Sequence, residues 1–111
     1  MACNAVCHIY SGRPDPGWKL TKKQAKEVDR IWQSLKETSV RDEFPSFLGY
    51  RGILLVCEDS REIFVFNKRA KGKIKNRIFW KSDEAGRLER YLISTAPEGI
   101  LPAELLNNRL L

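Results

Sequence analysis

Several features that define large classes of proteins are missing from this chain of 111 residues. It has no run of about 18 apolar residues, the length that crosses a membrane. Met1 to His8 show no basic region followed by an apolar stretch, so they do not resemble a signal peptide. The chain has no Gly-rich phosphate loop, no Gly-x-Ser-x-Gly and no His-Glu-x-x-His. These absences predict a soluble intracellular protein, cytoplasmic or nuclear, with no familiar catalytic motif.

Cysteine and histidine are scarce, which limits metal and nucleophile chemistry. The only cysteines are Cys3, Cys7 and Cys57, and His8 is the only histidine. A closed zinc site needs four ligands, and no second Cys/His pair follows Cys3-x3-Cys7-His8. An odd cysteine count without a signal peptide favours a reducing compartment, where Cys7 and Cys57 would pack as small apolar thiols. We therefore predict no metal, no cofactor and no catalytic residue.

Positive charge is abundant but unevenly placed. The chain has 20 basic and 14 acidic residues, a formal net charge of +6. Seven of the basic residues lie between Asn67 and Lys81, where there is no acidic residue, and the rest of the chain is close to neutral. Like charges at this density repel one another, which favours an acidic partner. The alternative explanation is that these basic residues form a solvated strand face, on which lysines prevent edge-to-edge association.

Hydrophobic periodicity and turn residues predict one α+β domain over residues 1–111. The expected strands are 3–10, 53–57, 63–66 and 73–80, with turns at Glu58–Arg61 and Lys71–Gly72. A stiff loop at residues 11–17 precedes a first helix over 20–38, in which Thr21 and Gln24 form a capping box. A second long helix follows a cap at Ser82 or Asp83, and a short helix covers Pro102 to Leu110. The order β-α-β-β-β-α predicts an antiparallel sheet of about four strands with one helix packed on it.

Three segments of the chain resemble a group of small uncharacterised proteins. These proteins have an N-terminal strand and an SGRPNP-type loop, matched here by Ser11-Gly12-Arg13-Pro14-Asp15-Pro16, with Asp15 in place of the usual Asn. Their Leu-Gly-Tyr-Arg-Gly segment is matched at residues 48–52, and their Leu-Glu-Arg-aromatic-Leu helix at residues 88–92. The resemblance spans most of the chain. No activity is attached to the group, so the resemblance implies no functional residues.

The clustered charge predicts a non-enzymatic binding protein that uses a basic β-hairpin on an acidic partner, with nucleic acid as the first candidate. The expected contacts are Lys68, Arg69, Lys71, Lys73, Lys75, Arg77, Phe79 and Lys81. If Ile63 and Val65 face inward, Phe64 and Phe66 stand beside this row and add a stacking surface for single strands. In the opposite interpretation both phenylalanines belong to the core.

Two other functions remain open at this stage. The apolar end of the chain, with Leu101, Leu105, Leu106, Leu110 and Leu111, suits either docking on the domain's own core or a protein–protein or homo-oligomer surface. The stiff loop holds Arg13 and Asp15, which suits a small enzyme site. The simpler role for Asp15 is to cap a turn beside proline.

Overall fold

A computed structural model of the chain describes residues 2–10, 12–41, 49–103 and 105–106 and is built around one antiparallel sheet. The strands are β1 (Cys3–Cys7), β2 (Gly17–Lys19), β3 (Lys36–Glu37), β4 (Ile53–Cys57), β5 (Glu62–Phe66), β6 (Arg69–Ile74) and β7 (Arg77–Ser82). The helices are α1 (Lys22–Ser34) and α2 (Arg87–Ser94). The strand order across the sheet is β2-β1-β4-β5-β6-β7-β3.

The predicted sheet of about four strands with three helices is wrong, because the described residues form seven strands and two helices. The extra strands β2 and β3 are short and lie at the two edges. β2 pairs with β1 and places Trp18 in the core. β3 pairs with the end of β7, so the predicted first helix stops at Ser34 instead of Thr38. Strands this short carry little periodic signal in a sequence.

The strand predicted over residues 73–80 is also wrong, because two residues within it form a turn. Lys75 and Asn76 both have positive φ, 50° and 65°, and join β6 to β7 as a two-residue hairpin loop. Asn67 and Lys68 do the same between β5 and β6. Two successive left-handed residues match the right-handed twist of the flanking strands. Asparagine often adopts this left-handed conformation, but lysine rarely does, so a lysine in the sequence does not indicate such a turn.

Gly72, which predicted a turn, lies in the middle of β6. It pairs with Ile63 on one side and Phe79 on the other. A Cβ atom at this position would lie 2.6 Å from the Trp32 ring, so the glycine makes room for that indole. Glycine is therefore needed at position 72 because Trp32 packs closely against the strand, and not because the chain turns there.

Side chains accept hydrogen bonds from backbone N–H groups in the first turn of both helices. The predicted capping box at the start of α1 is confirmed: the Gln24 N–H donates to the Thr21 hydroxyl, and the Thr21 N–H donates to the Gln24 side chain. The Asp83 carboxylate accepts from the N–H groups of Leu88 and Glu89, so Asp83 and not Ser82 satisfies the first turn of α2. The apolar side chains of α1 that are buried are Ala25, Val28, Ile31 and Trp32.

The core lies between the helices and one face of the sheet. Alternate strand residues, including Ala5, Leu55, Ile63 and Val65, are buried there. Leu101 and Leu105 join the same core. Most of the predicted helix at Pro102 to Leu110, together with Leu110 and Leu111, lies outside the described residues.

Two of the three cysteines are bonded, which corrects the prediction of free thiols. Cys3 and Cys57 face each other across β1 and β4 and form a disulfide. Cys7 is the free cysteine and is buried, as predicted. Disulfides persist mainly in oxidising compartments. The intracellular location stays a prediction, and this bond weighs against it.

Among the residues described, no helix is both long and apolar enough to cross a bilayer.

Candidate nucleic-acid interface

The face of the sheet opposite the core carries two rows of side chains that run across the strands. The strand register places the residues of each row side by side, since alternate residues share a face. The first row is Val6, Leu54, Phe64, Lys71 and Trp80. The second row is Asn4, Val56, Glu62, Lys73 and Ile78. Apolar, aromatic and cationic groups thus meet on one surface.

Part of this face is a shallow groove open to solvent. The groove has a volume of about 410 Å³ and is lined by Leu54, Glu62, Phe64, Lys71, Lys73 and Ile78. Ile78 is 55% exposed and Val56 is 39% exposed, so this face leaves aliphatic surface open to solvent. Exposed apolar surface of this kind, rimmed by charge, marks interaction sites. We call this surface the open groove.

Phe64 is stacked with His8 at one side of the open groove. The two ring centroids are 5.8 Å apart, and the ring planes differ by 27°. Gly52 makes this possible, because a Cβ there would lie 2.8 Å from the Phe64 ring. Gly52 also has a φ of 113°, a conformation that side chains rarely adopt. Backbone hydrogen bonds from the His8 N–H to the Gly52 carbonyl and from the Arg51 N–H to the His8 carbonyl hold the two segments together.

Asp15 fixes His8 from the side of the stiff loop. One carboxylate oxygen accepts from the N–H groups of Ile9 and Tyr10 at 3.0 and 2.7 Å, and the other lies 3.1 Å from His8 Nδ1. Burial alone raises the pKa of Asp15, but the two backbone donors and His8 outweigh it and keep that pKa below its ordinary value of 3.8. A charged Asp15 therefore accepts a hydrogen bond from the Nδ1–H group of His8. The other ring nitrogen, Nε2, is not used in this contact.

Two arginines lie around the same loop. The Arg13 guanidinium stacks 3.8 Å from the centre of the Tyr10 ring. Arg51 donates to the carbonyl oxygens of Tyr10 and Gly49 at 3.1 and 3.0 Å. Both arginines and Asp15 are thus committed to organising the loop, and the turn-capping role weighed for Asp15 agrees with its contacts.

The structure divides the predicted basic contacts among several places. Only Lys71 and Lys73 line the open groove. Arg69 lies on the same face of the sheet, at the start of β6, while Lys68 and Lys75 occupy the turns. Arg77 and Phe79 alternate onto the helix-covered face, where the Arg77 guanidinium is 5.7 Å from the Phe79 ring. The single row expected from one long strand is therefore not formed.

Lys81 is buried beneath α1 and takes no part in the open groove. Its Nζ donates to the Trp32 carbonyl at 2.9 Å and lies 4.6 Å from the Trp32 ring centre. Burial lowers the pKa of Lys81, although Glu37 works in the opposite sense. A cation at the last turn of a helix stabilises its carbonyl end. The burial of Lys81 is therefore explained by its contact with α1.

The two phenylalanines of β5 have different surroundings. Ile63 and Val65 face the core, so Phe64 points to the open groove and is half-buried. Phe66 is buried, with its ring centroid 5.7 Å from that of Tyr50. The stacking interpretation thus fits the position of Phe64, and the core interpretation fits that of Phe66.

Sequence reasoning missed His8, Leu54 and Ile78 as members of the site. Leu54 belongs to a continuous apolar run that suggests a strand buried on both faces. In one continuous strand over residues 73–80, Ile78 and Lys73 would lie on opposite faces, whereas the turn at Lys75 and Asn76 places them side by side. The signal lies in the turns: Leu54 and Phe64 are equally far from the β4–β5 turn, and Phe64 and Lys71 are equally far from the two-residue loop at Asn67 and Lys68.

The described residues offer little that suits a nucleophile or a metal site. Burial, with smaller contributions from Asp15 and Glu89, raises the pKa of the Cys7 thiol to about 12, so this thiol stays protonated at neutral pH. No group of three or more His, Cys, Asp or Glu suited to a metal ion occurs in the part of the chain that the structure describes.

No protein-family model, curated protein or solved structure matches the chain. The function must therefore be inferred from the chemistry of the open groove.

Proposed function

We propose that this protein binds nucleic acid through the open groove. The observation that supports this proposal is the juxtaposition of a half-exposed aromatic ring, Phe64, with the ammonium groups of Lys71 and Lys73 on neighbouring positions of β6. Nucleic acids present aromatic bases together with phosphates, so a surface that offers both apolar and cationic contacts is complementary to them.

Lysines contribute to such binding by releasing counterions from the phosphates. The logarithm of the affinity falls linearly with the logarithm of the salt concentration, with a slope of about −0.7 to −0.9 for each neutralised phosphate. If Lys71 and Lys73 each contact one phosphate, they account for about 1.4 to 1.8 of the slope. Glu62, which faces Lys73 across β5 and β6, reduces the positive potential locally and leaves Lys71 as the stronger contact.

The test replaces both groove lysines by alanine and measures fluorescence anisotropy with labelled nucleic acid over a range of salt concentrations. Lys71→Ala with Lys73→Ala should weaken binding and flatten the salt dependence. The matched control is Lys22→Ala with Lys26→Ala, which removes two exposed lysines from α1. An equal loss in both double variants would attribute the binding to net charge and would contradict a role for the groove.

The other two functions are less well supported by the described residues. Leu101 and Leu105 are buried in the domain's own core, so they are not available to a partner. Arg13 and Asp15 are engaged by Tyr10, His8 and the loop backbone. An adaptor or oligomer role and an enzymatic role of this loop therefore stay untested predictions.

A further inference from the structure

We propose that the open groove selects single-stranded over double-stranded nucleic acid by stacking an unpaired base on the His8–Phe64 ring pair, and that Asp15 is the residue that positions this pair. This inference rests on the proposed function and names the class of nucleic acid. It has an independent basis in the ring stack and its anchors, which are separate from the lysines.

The ring pair favours single strands because of base accessibility. In a duplex the faces of the bases are covered by their neighbours, whereas unpaired bases can splay out and stack on aromatic side chains. A duplex can still reach the lysines through its phosphates. Phe64 and His8 therefore discriminate between the two forms, while Lys71 and Lys73 attract both.

The ring pair is already organised before a ligand arrives. Gly52 allows Phe64 to lie against the backbone, and Asp15 holds His8 through Nδ1. Asp15 is in turn fixed by two backbone N–H groups, so its carboxylate is not free to rotate away. A surface held in its binding geometry loses less conformational entropy when a base stacks on it.

Positive charge lies on both sides of the ring pair. Lys71 and Lys73 lie on β6 to one side, and Arg51 and Arg13 flank the loop on the other. From β6 to β1 there are three strand spacings of about 4.8 Å, or about 14 Å in all. A strand crossing the sheet in this direction has room for a few nucleotides, with Lys71 and Lys73 at one end of the path.

The main experiment compares Phe64→Leu with Phe79→Leu. Leucine keeps an apolar side chain of suitable size in the sheet but removes the aromatic face. Phe79 is a matched control because it is half-buried on the opposite face of the same sheet. Anisotropy titrations use labelled oligo-dT, oligo-U and a hairpin-free DNA duplex at one salt concentration. Stacking of one base contributes about 1–3 kcal/mol, so Phe64→Leu should weaken single-strand binding about tenfold and leave duplex binding unchanged.

Asp15 is tested by a double-mutant cycle with His8, since a positioning residue acts through its partner. Asp15→Asn should weaken single-strand binding without changing the salt slope. In a His8→Leu background the same substitution should have no further effect on affinity. An Asp15→Asn effect that persists without His8 would assign Asp15 to loop folding alone and would overturn its positioning role.

The outcomes separate this inference from the proposed function. Equal affinity for single strands and duplex, with Lys71 and Lys73 still required, would overturn single-strand selection and leave nucleic-acid binding intact. Equal losses in the Phe64→Leu and Phe79→Leu variants would also overturn it. Absence of binding to all three nucleic acids at low salt, with binding to an acidic peptide such as polyglutamate, would overturn both proposals in favour of an acidic protein partner.

Discussion

Lys81 lies on the helix-covered face of β7, although it belongs to the most basic segment of the chain. Its ammonium group donates to a carbonyl at the end of α1, and burial lowers its pKa. Residue type alone predicts an exposed polyanion contact. The misplaced turn reverses the faces of β7, and this reversal explains why Lys81 and Phe79 were assigned to the binding row.

Replacing Lys81 with methionine should change the free energy of unfolding by less than about 1 kcal/mol, because the apolar stem is kept and the cost of burying a charge disappears. Urea unfolding followed by tryptophan fluorescence measures this change. The affinity for nucleic acid should stay at the wild-type value. A large loss of stability would mean that the bond to the Trp32 carbonyl stabilises the fold more than the buried charge destabilises it.

At the level of elements, the sequence predicts best where local chemistry is decisive. β4 was predicted with its observed bounds, β5 to within one residue, and the capping box of α1 with its correct residues. The misplaced hairpin depends on a contact that local patterns do not contain, since Gly72 meets Trp32 forty residues away along the chain. The edge strands β2 and β3 exist only because a neighbouring strand is present to pair with them.

The start of α2 depends on one carboxylate. Asp83 is fully buried and accepts from two N–H groups of the first turn, while the residue at the helix boundary, Gly86, offers no side chain. Asp83→Ala should lower the free energy of unfolding by about 1–2 kcal/mol. Ser82→Ala is the control and should stay within about 0.5 kcal/mol of wild type. Chemical denaturation of both variants decides between the two cap candidates; equal stability would contradict the assignment of Asp83.

At the scale of the whole molecule, the open groove exists because four strands are held in one register. Leu54, Phe64, Lys71 and Ile78 come from β4, β5, β6 and β7. A slip of one residue in any pair would turn that strand's groove residues toward the core. Composition shows where basic residues cluster along the chain, but the face on which each of them lies depends on every turn between residues 57 and 77.

The disulfide connects the first strand to the central meander. Cys3 and Cys57 are 54 residues apart in the sequence. Loop-closure entropy for a separation of that size predicts about 4 kcal/mol of stabilisation. Reductant should therefore lower the urea midpoint of the wild-type protein, while a Cys3→Ser variant should unfold at the same midpoint with and without reductant. Identical midpoints for the wild-type protein in both conditions would contradict a stabilising bond.

The ends of the sheet have a consequence for the behaviour of this protein in concentrated solution. The outermost strands, β2 and β3, have three and two residues, and each carries an exposed lysine, Lys19 or Lys36. An intruding strand from another molecule would find few backbone groups to pair with and a positive charge to displace. The short, charged edge strands β2 and β3 thus disfavour the edge-to-edge pairing that leads to fibrils.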